Sequence, residues 1–232
     1  MLSSMTVPAK SPGENGRQYA YRVLYGAIMN LELLPGTVLV DGDLSNALNI
    51  SRTPIREAIV SLVEAKLVDV YPQRSSCVSR IDLDAIEEGI FLRFNAERAI
   101  LKLAAVSASG RDISLLHENL EQQRQCLESS RPEMFFELDN DFHRQLYLLA
   151  NKPWTWSAVM RTVTHLNRVR RLQMLRAEEQ LWTTYEEHLR IFNAIMAHDT
   201  SDMDDFLYGH LTAGYRNALP ELMKQYPDYL SI

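Results

Sequence analysis

Four residues in the second half of the chain have the types and spacing of a metal-ligand set. Asp139 and His143 lie four residues apart, so on a helix both side chains project from one face, and His188 and His210 follow on later segments. Helical bundles build metal sites from carboxylates and imidazoles on facing helices, and three nitrogens with one oxygen suit Zn, Ni, Fe or Mn. Asp and His at this spacing also form simple ion pairs, and single histidines also serve as core or surface residues. The residue types alone therefore leave both interpretations open.

A second set, Arg52 and Arg56, lies in the first quarter of the chain. Two arginines four residues apart share one face of a helix. Ser51 is a good N-cap, and Pro54 is tolerated only in a first helical turn, so the arginines stand at the start of a short helix. The opposite face carries apolar residues at helical spacing, namely Ile55, Ala58, Ile59, Leu62 and Val63. Such an arginine face is either solvated or in contact with nucleic acid.

The elements around this helix favour the nucleic-acid interpretation. Residues 44–48 predict a second short apolar helix, and Asn49 tolerates the left-handed conformation of a tight turn. An amphipathic helix over Tyr21–Met29 precedes them and ends before the turn at Pro35-Gly36. A helix, a tight turn and a helix that presents arginines at its start form the geometry that docks in a DNA major groove.

A hairpin after this helix predicts a wing. Val38–Val40 is a short strand candidate, and Leu67–Tyr71 and Cys77–Ile81 predict two paired strands. Their tip, Pro72–Ser76, carries Arg74. A basic hairpin tip beside a helix-turn-helix suits contact with phosphates or with the minor groove.

Residues from about Tyr19 to Ile81 resemble the winged helix of the GntR family of bacterial transcription regulators. The resemblance rests on Leu34-Pro35-Gly36, on Leu44 to Ala47, on the continuous run Ile50 to Ala58, and on Leu62 and Leu67-Val68. It implies operator contacts by Ser51, Arg52, Thr53, Arg56 and Arg74. Three positions depart from the family pattern: Gly42 replaces a DNA-contacting arginine of some members, and Lys66 and Ser75 replace glycines.

The rest of the chain has helical periodicity and predicts a mainly α protein. We expect a disordered tail over residues 1–16, the winged helix-turn-helix over 17–81, and an antiparallel six-helix bundle over 82–232. The six helices are expected at Leu83–Ala108, Asp112–Ser129, Pro132–Ala150, Pro153–Ala177, Trp182–His198 and Ser201–Tyr226. The short segment Ser79–Asp82 joins the two domains.

The bundle resembles the effector domain called FCD, found in the FadR branch of the GntR family. Asp139-Asn140-Asp141-Phe142-His143 fits its Asp-x-x-Phe/Leu-His stretch, and Asn151-Lys152-Pro153 fits the following break. His188 and His210 match the two later histidines. The resemblance implies that Asp139, His143, His188 and His210 bind one divalent transition metal per chain, with zinc the first choice and Ni, Mn or Fe the alternatives. Six helices instead of seven point to the VanR-type subgroup.

The effector of such a domain is expected to be a small organic acid. Arg161, His165 and Arg168 form a polar stripe on the fourth predicted helix, and an arginine fork suits a carboxylate. Arg93 and Glu97 match a common family pair, so Arg93 is either an effector contact or one half of an intrahelical salt bridge.

Composition limits the partners and the compartment. Residues 1–80 carry 8 Lys/Arg and 7 Asp/Glu, whereas the whole chain has a net charge of −6, so only the N-terminal part suits DNA. Two cysteines suit a reducing cytosol, and no apolar run reaches membrane-spanning length, so we expect a cytoplasmic protein without a membrane partner.

These observations predict a homodimeric transcription regulator, a repressor by family habit, that binds pseudo-palindromic operator DNA and senses an organic acid beside a metal. One alternative is a regulator that senses the metal itself. The other is a metal-dependent enzyme, which we do not expect because the sequence shows no general base beside the four ligands and the winged helix would be idle.

Overall fold

The computed structural model describes residues 5–71, 76–107, 110–129, 131–174 and 178–231. The chain divides into two compact units, one up to Ala85 together with Pro220 onward, the other Ile86–Leu219. Helices dominate, as the sequence predicted. No helix in these described ranges combines the length and the apolar composition that a membrane span needs.

The first unit contains the winged helix. Its elements are α1 (Gly16–Met29), β1 (Val38–Leu39), α2 (Asp41–Leu48), α3 (Arg52–Glu64), β2 (Val68–Val70), β3 (Ser76–Val78) and β4 (Ile81–Asp82). Strands β1, β3 and β2 form an antiparallel sheet in that order, with Cys77 opposite both Val38 and Asp69. The hairpin of β2 and β3 is thus present, while Arg74 and residues 72–75 at its tip lie outside the described residues.

Local sequence explains the turn between α2 and α3. Asn49 ends α2 in the left-handed conformation with φ 52°, as expected for a residue that tolerates this region. Ser51 is the N-cap of α3 in extended conformation, although its side chain makes no capping hydrogen bond. Ile55, Ala58 and Leu62 are fully buried and pack α3 against α1. The arginines therefore face away from the core.

The disordered tail expected over residues 1–16 is wrong for residues 5–16. Met5 is 7% exposed and belongs to the apolar core of the winged helix. Arg22 donates to both Glu14 carboxylate oxygens at 2.8 Å and to the carbonyl of Ala9 at 3.0 Å. Polar composition indicated disorder, but one buried methionine and one arginine hold this segment.

The helical part contains α4 (Leu83–Ser107), α5 (Gly110–Glu128), α6 (Phe135–Leu149), α7 (Pro153–Thr162), α8 (Thr164–Met174), α9 (Glu178–Met196) and α10 (Met203–Gln225). The described residues thus form seven α-helices here, not six, because the predicted helix Pro153–Ala177 is divided at Val163 (φ −91°, ψ 23°). Thr162, Val163 and Thr164 are consecutive β-branched residues, which weaken a helix. The VanR-type subgroup, inferred from six helices, stays a prediction.

Residues from Pro220 onward belong to the first unit and not to the bundle. Leu230–Ser231 form a strand, β5, that pairs in parallel with β4 through Ile81 opposite Leu230. Both apolar side chains are buried, at 0% and 4% exposure. The domain boundary therefore differs from the expected 82–232, because a two-residue strand leaves no periodic signal in the sequence.

Candidate metal centre and arginine face

Three histidines from three helices of the second unit meet at one point. His143 lies on α6, His188 on α9 and His210 on α10, and one ring nitrogen of each lies within 4.8 Å of the others. The Nε2 atoms of His143 and His210 are 3.2 Å apart. His143 and His188 are buried, and His210 is 9% exposed. Three of the four predicted ligands are thus brought together.

The other ring nitrogen of each histidine faces an oxygen that can only accept. The Nδ1 atoms of His143 and His210 lie 2.7 Å from carboxylate oxygens of Glu97 and Glu187. The Nδ1 atom of His188 lies 2.8 Å from the amide oxygen of Gln123, whose own NH₂ donates to Asn119. Acceptors face Nδ1 of His188 and His210 with hydrogen-bond geometry, which favours a lone pair on Nε2 of these two rings. Nδ1 of His143 lies at ion-pair distance from Glu97 without hydrogen-bond geometry.

One ring nitrogen of each histidine faces a shared space. The Nε2 atom of His188 is buried and has no hydrogen-bond partner among the described residues. A buried acceptor without a donor is costly. A cation bound between the three nitrogens would satisfy all of them, so this donor set fits a divalent metal such as zinc.

The ionisation of these groups agrees with ligand chemistry. Burial lowers the pKa of His143, although the Glu97 carboxylate opposes the shift. Burial, reinforced by the neighbouring His210, lowers the pKa of His188 well below its ordinary value. Both rings are therefore neutral at pH 7, which is the form that binds a metal.

Asp139, the fourth predicted ligand, lies beside the three histidines but already has a partner. Its Oδ2 accepts a hydrogen bond from Nη2 of Arg170 on α8, and its Oδ1 is 3.7 Å from Nε2 of His188. Burial alone would raise the pKa of Asp139, but Arg170 together with His143, His188 and Arg93 outweighs burial, and the pKa is lowered. Asp139 is an ionised carboxylate with one oxygen toward the histidines.

Arg93 forms the intrahelical salt bridge, one of the two roles that the sequence left open. Its Nε donates to Glu97 Oε1 at 2.6 Å within α4, and both side chains are buried. Burial would raise the pKa of Glu97, but Arg93 and His143 lower it to about 2. Nη2 of Arg93 has no hydrogen-bond partner among the described residues, and Arg93 lines the cavity beside the histidines.

That cavity has a volume of about 310 Å³. Its lining includes charged groups and imidazoles, from Arg93, Asp139, His143, Arg170, Glu187 and His210. It also includes neutral polar groups, from Gln180, Thr183, Thr184 and Asn217. Such a space fits a small polar anion.

Three of the four proposed effector contacts lie elsewhere. Arg161 is exposed, and His165 and Arg168 are buried with Nη2 of Arg168 3.0 Å from Nδ1 of His165. Arg170 lines the cavity instead. The single predicted helix Pro153–Ala177 hid the break at Val163, which changes the faces of α8. A signal was present in Asp139, since a buried carboxylate needs a cation and α8 offers Arg170.

The arginine face on α3 lies on the surface of the first unit. Ser51, Arg52, Thr53 and Arg56 are all exposed. Nε of Arg56 donates to Asp41 Oδ2 at 2.6 Å, a contact that the sequence analysis did not anticipate. Gln123 and Glu187, the hydrogen-bond partners of His188 and His210, were not predicted, because their local sequence has no distinctive pattern.

Both parts of the chain, the winged helix and the helical bundle, match models of known protein families. The model for bacterial regulatory proteins of the gntR family matches residues 17–78, and the FCD domain model matches residues 90–213. The HTH-type transcriptional repressor RspR of Escherichia coli (strain K12) is 32% identical over 210 residues, which cover 89% of this chain and 91% of that protein.

Two solved structures share the fold. Escherichia coli McbR/YncC has a TM-score of 0.72 at 20% identity, over 92% of this chain and 99% of that one. A GntR regulator from Rhodococcus sp. RHA1 has a TM-score of 0.73 at 23% identity, over 88% and 97%. This chain belongs to the GntR family of bacterial regulatory proteins and is a transcription regulator with an FCD domain.

Proposed function

We propose that this regulator is a repressor that binds a pseudo-palindromic operator as a homodimer in the cytoplasm, and that a small organic acid bound beside a metal changes its affinity for DNA. The observation that carries the proposal is the convergence of one ring nitrogen from each of three histidines, with an acceptor oxygen 2.7–2.8 Å from each Nδ1. The repressor role is supported by the similarity to RspR, a transcriptional repressor.

His143, His188 and His210 would hold the metal, with Asp139 Oδ1 as the fourth ligand. A bound divalent ion supplies an open coordination position for a carboxylate oxygen. Arg93 is suited to neutralise the rest of an anion's charge. Its Nε donates to Glu97, while its Nη2 donates to no described residue and is available to the anion. Further oxygens on the same molecule could accept hydrogen bonds from neutral polar side chains of the cavity, namely Gln180, Thr183, Thr184 and Asn217.

Two recognition helices in a dimer require half-sites on one face of the duplex. Arg52, Thr53 and Arg56 would contact base edges, with Ser51 and Arg74 at the sugar-phosphate backbone. Selection of bound fragments from the source genome by the full-length protein would yield the operator. Recovery of no common inverted repeat would contradict this part of the proposal.

The link between the two halves is tested with that operator and a panel of mono-, di- and tricarboxylates. A carboxylate that binds metal-loaded protein is expected to change operator affinity by about 5- to 150-fold, and operator must change carboxylate affinity by the same factor. Calorimetry with and without operator measures this reciprocity. A response to Zn²⁺ alone, with no carboxylate effect, would support metal sensing instead, and chemical conversion of a carboxylate would support an enzyme.

A further inference from the structure

The first turn of α2, residues Asp41 to Asp43, lies beside the recognition arginines of α3. Asp41 Oδ2 accepts a hydrogen bond of 2.6 Å from Nε of Arg56. Nη2 of Arg52 lies 3.4 Å from the position that a Cβ on Gly42 would occupy, an ordinary van der Waals distance. This turn therefore bonds to Arg56 and lies close to Arg52.

The contact with Asp41 uses only one of the three guanidinium nitrogens of Arg56. Neither Nη atom of Arg56 donates to another described residue, and the Arg56 side chain is 68% exposed. A bidentate contact with O6 and N7 of guanine requires two donors from the same guanidinium. Arg56 can thus keep its bond to Asp41 while both Nη atoms contact a base.

The stability of the free protein does not account for this pair. Exposed ion pairs contribute little to the free energy of unfolding, and the two side chains are 68% and 30% exposed. Asp41 does not cap α2 either, since Val40 is the N-cap and makes no side-chain capping bond. A carboxylate near the arginine face also repels phosphate, which weakens binding to all DNA alike.

We propose that Asp41 is a positioning residue for sequence recognition: it restricts the rotamers of Arg56 so that its two Nη atoms meet a guanine. This inference rests on the proposed operator binding. Restricting a long side chain before binding reduces the entropy lost on the correct site. Repulsion of phosphate lowers affinity for every site alike and leaves the ratio of specific to non-specific affinity unchanged, so the restriction of Arg56 is the effect that increases this ratio.

The matched control is Asp43, an exposed acid in the same helical turn that forms no ion pair with a described residue. Affinities of wild type, Asp41→Asn and Asp43→Asn are measured for the duplex selected by the wild type and for a scrambled duplex. Asp41→Asn is expected to lower the ratio of the two affinities about tenfold, the loss of roughly one base contact. Asp43→Asn is expected to strengthen binding to both duplexes and to leave the ratio unchanged.

A double-mutant cycle shows whether Asp41 acts through Arg56. In an Arg56→Ala background, Asp41→Asn is expected to change the ratio less than about twofold. A full effect of Asp41→Asn in that background, as for a direct contact with cytosine, would overturn the positioning role. Equal ratios for Asp41→Asn and Asp43→Asn would overturn it as well. If the wild type itself does not distinguish the two duplexes, the proposed operator binding fails first, and this inference fails with it.

Discussion

The charged residues proposed to be functional are exposed in the first unit and buried in the second. The arginines of the α3 face stand in water, and the Arg56 side chain is 68% exposed. In the bundle, the side chains of Arg93, Glu97 and Asp139 are at most 3% exposed, and each has an oppositely charged partner. In the proposed function DNA supplies negative charge to the first set, whereas the bundle pairs its own buried charges. Burial therefore separates the proposed effector site from the proposed DNA surface, and pairing alone does not, because Arg56 also has a partner, Asp41.

The largest expected effect is on the free energy of unfolding, where a buried and an exposed arginine should differ. Arg93→Ala is expected to lower the free energy of unfolding by about 3–5 kcal/mol, because the buried Glu97 carboxylate loses its partner. Arg56→Ala is expected to change it by less than about 0.5 kcal/mol. Urea unfolding followed by far-ultraviolet circular dichroism measures both.

Arg98 is the control on the same helix. Its side chain is 44% exposed and forms a surface ion pair with Asp204 at 2.7 Å, so Arg98→Ala should behave like Arg56→Ala. A cost for Arg93→Ala no larger than that for Arg98→Ala would show that burial does not separate the two classes of arginine.

The second prediction concerns the DNA surface alone. Arg52→Ala is expected to cost about 1–3 kcal/mol of operator affinity and to relax the sequence preference at one base pair. Arg74→Ala, a phosphate contact in the sequence prediction, should weaken binding to all sequences alike and reduce the salt dependence by about one unit of slope. Equal losses on operator and scrambled DNA for both variants would remove the case for Arg52 as a base contact.

The two units also differ in how far their sequence predicts them. In the winged helix, each local rule acts over a few residues: Asn49 forms the left-handed turn, Ser51 occupies the N-cap position of α3, and the apolar stripe sets the arginine face. The structure follows these rules. The buried Met5 was missed because its contact depends on packing with distant residues, which composition does not report.

In the bundle, resemblance predicted the ligands but local rules did not predict their surroundings. The three histidines converge as expected, yet Gln123 and Glu187 are polar residues on amphipathic helices and look like ordinary surface positions in sequence. Arg170 was missed because three β-branched residues around Val163 divide the predicted helix, which changes the face that α8 directs to the cavity. Contacts between distant helices decide such a site.

The smallest expected effect concerns Lys66, which follows α3 with φ 57°. A non-glycine residue in the left-handed conformation is strained, and glycine is preferred just after a helix. Lys66→Gly is expected to raise the free energy of unfolding by about 0.5–1 kcal/mol. Asn49→Gly should give a smaller gain, because asparagine tolerates this conformation. A thermal melt that shows Lys66→Gly to be destabilised would mean that its side-chain contacts outweigh the strain.

The central claim is that three buried histidines hold a divalent metal in the bundle. It is tested most directly by calorimetric titration of Zn²⁺ into chelator-treated, tag-free protein. We expect about one Zn²⁺ ion per chain for the wild type and for His117→Ala, a control at an exposed residue. We expect no high-affinity Zn²⁺ binding for His188→Ala. A wild type that binds none of Zn²⁺, Ni²⁺ or Mn²⁺, or a His188→Ala variant that binds as tightly as the wild type, would contradict it.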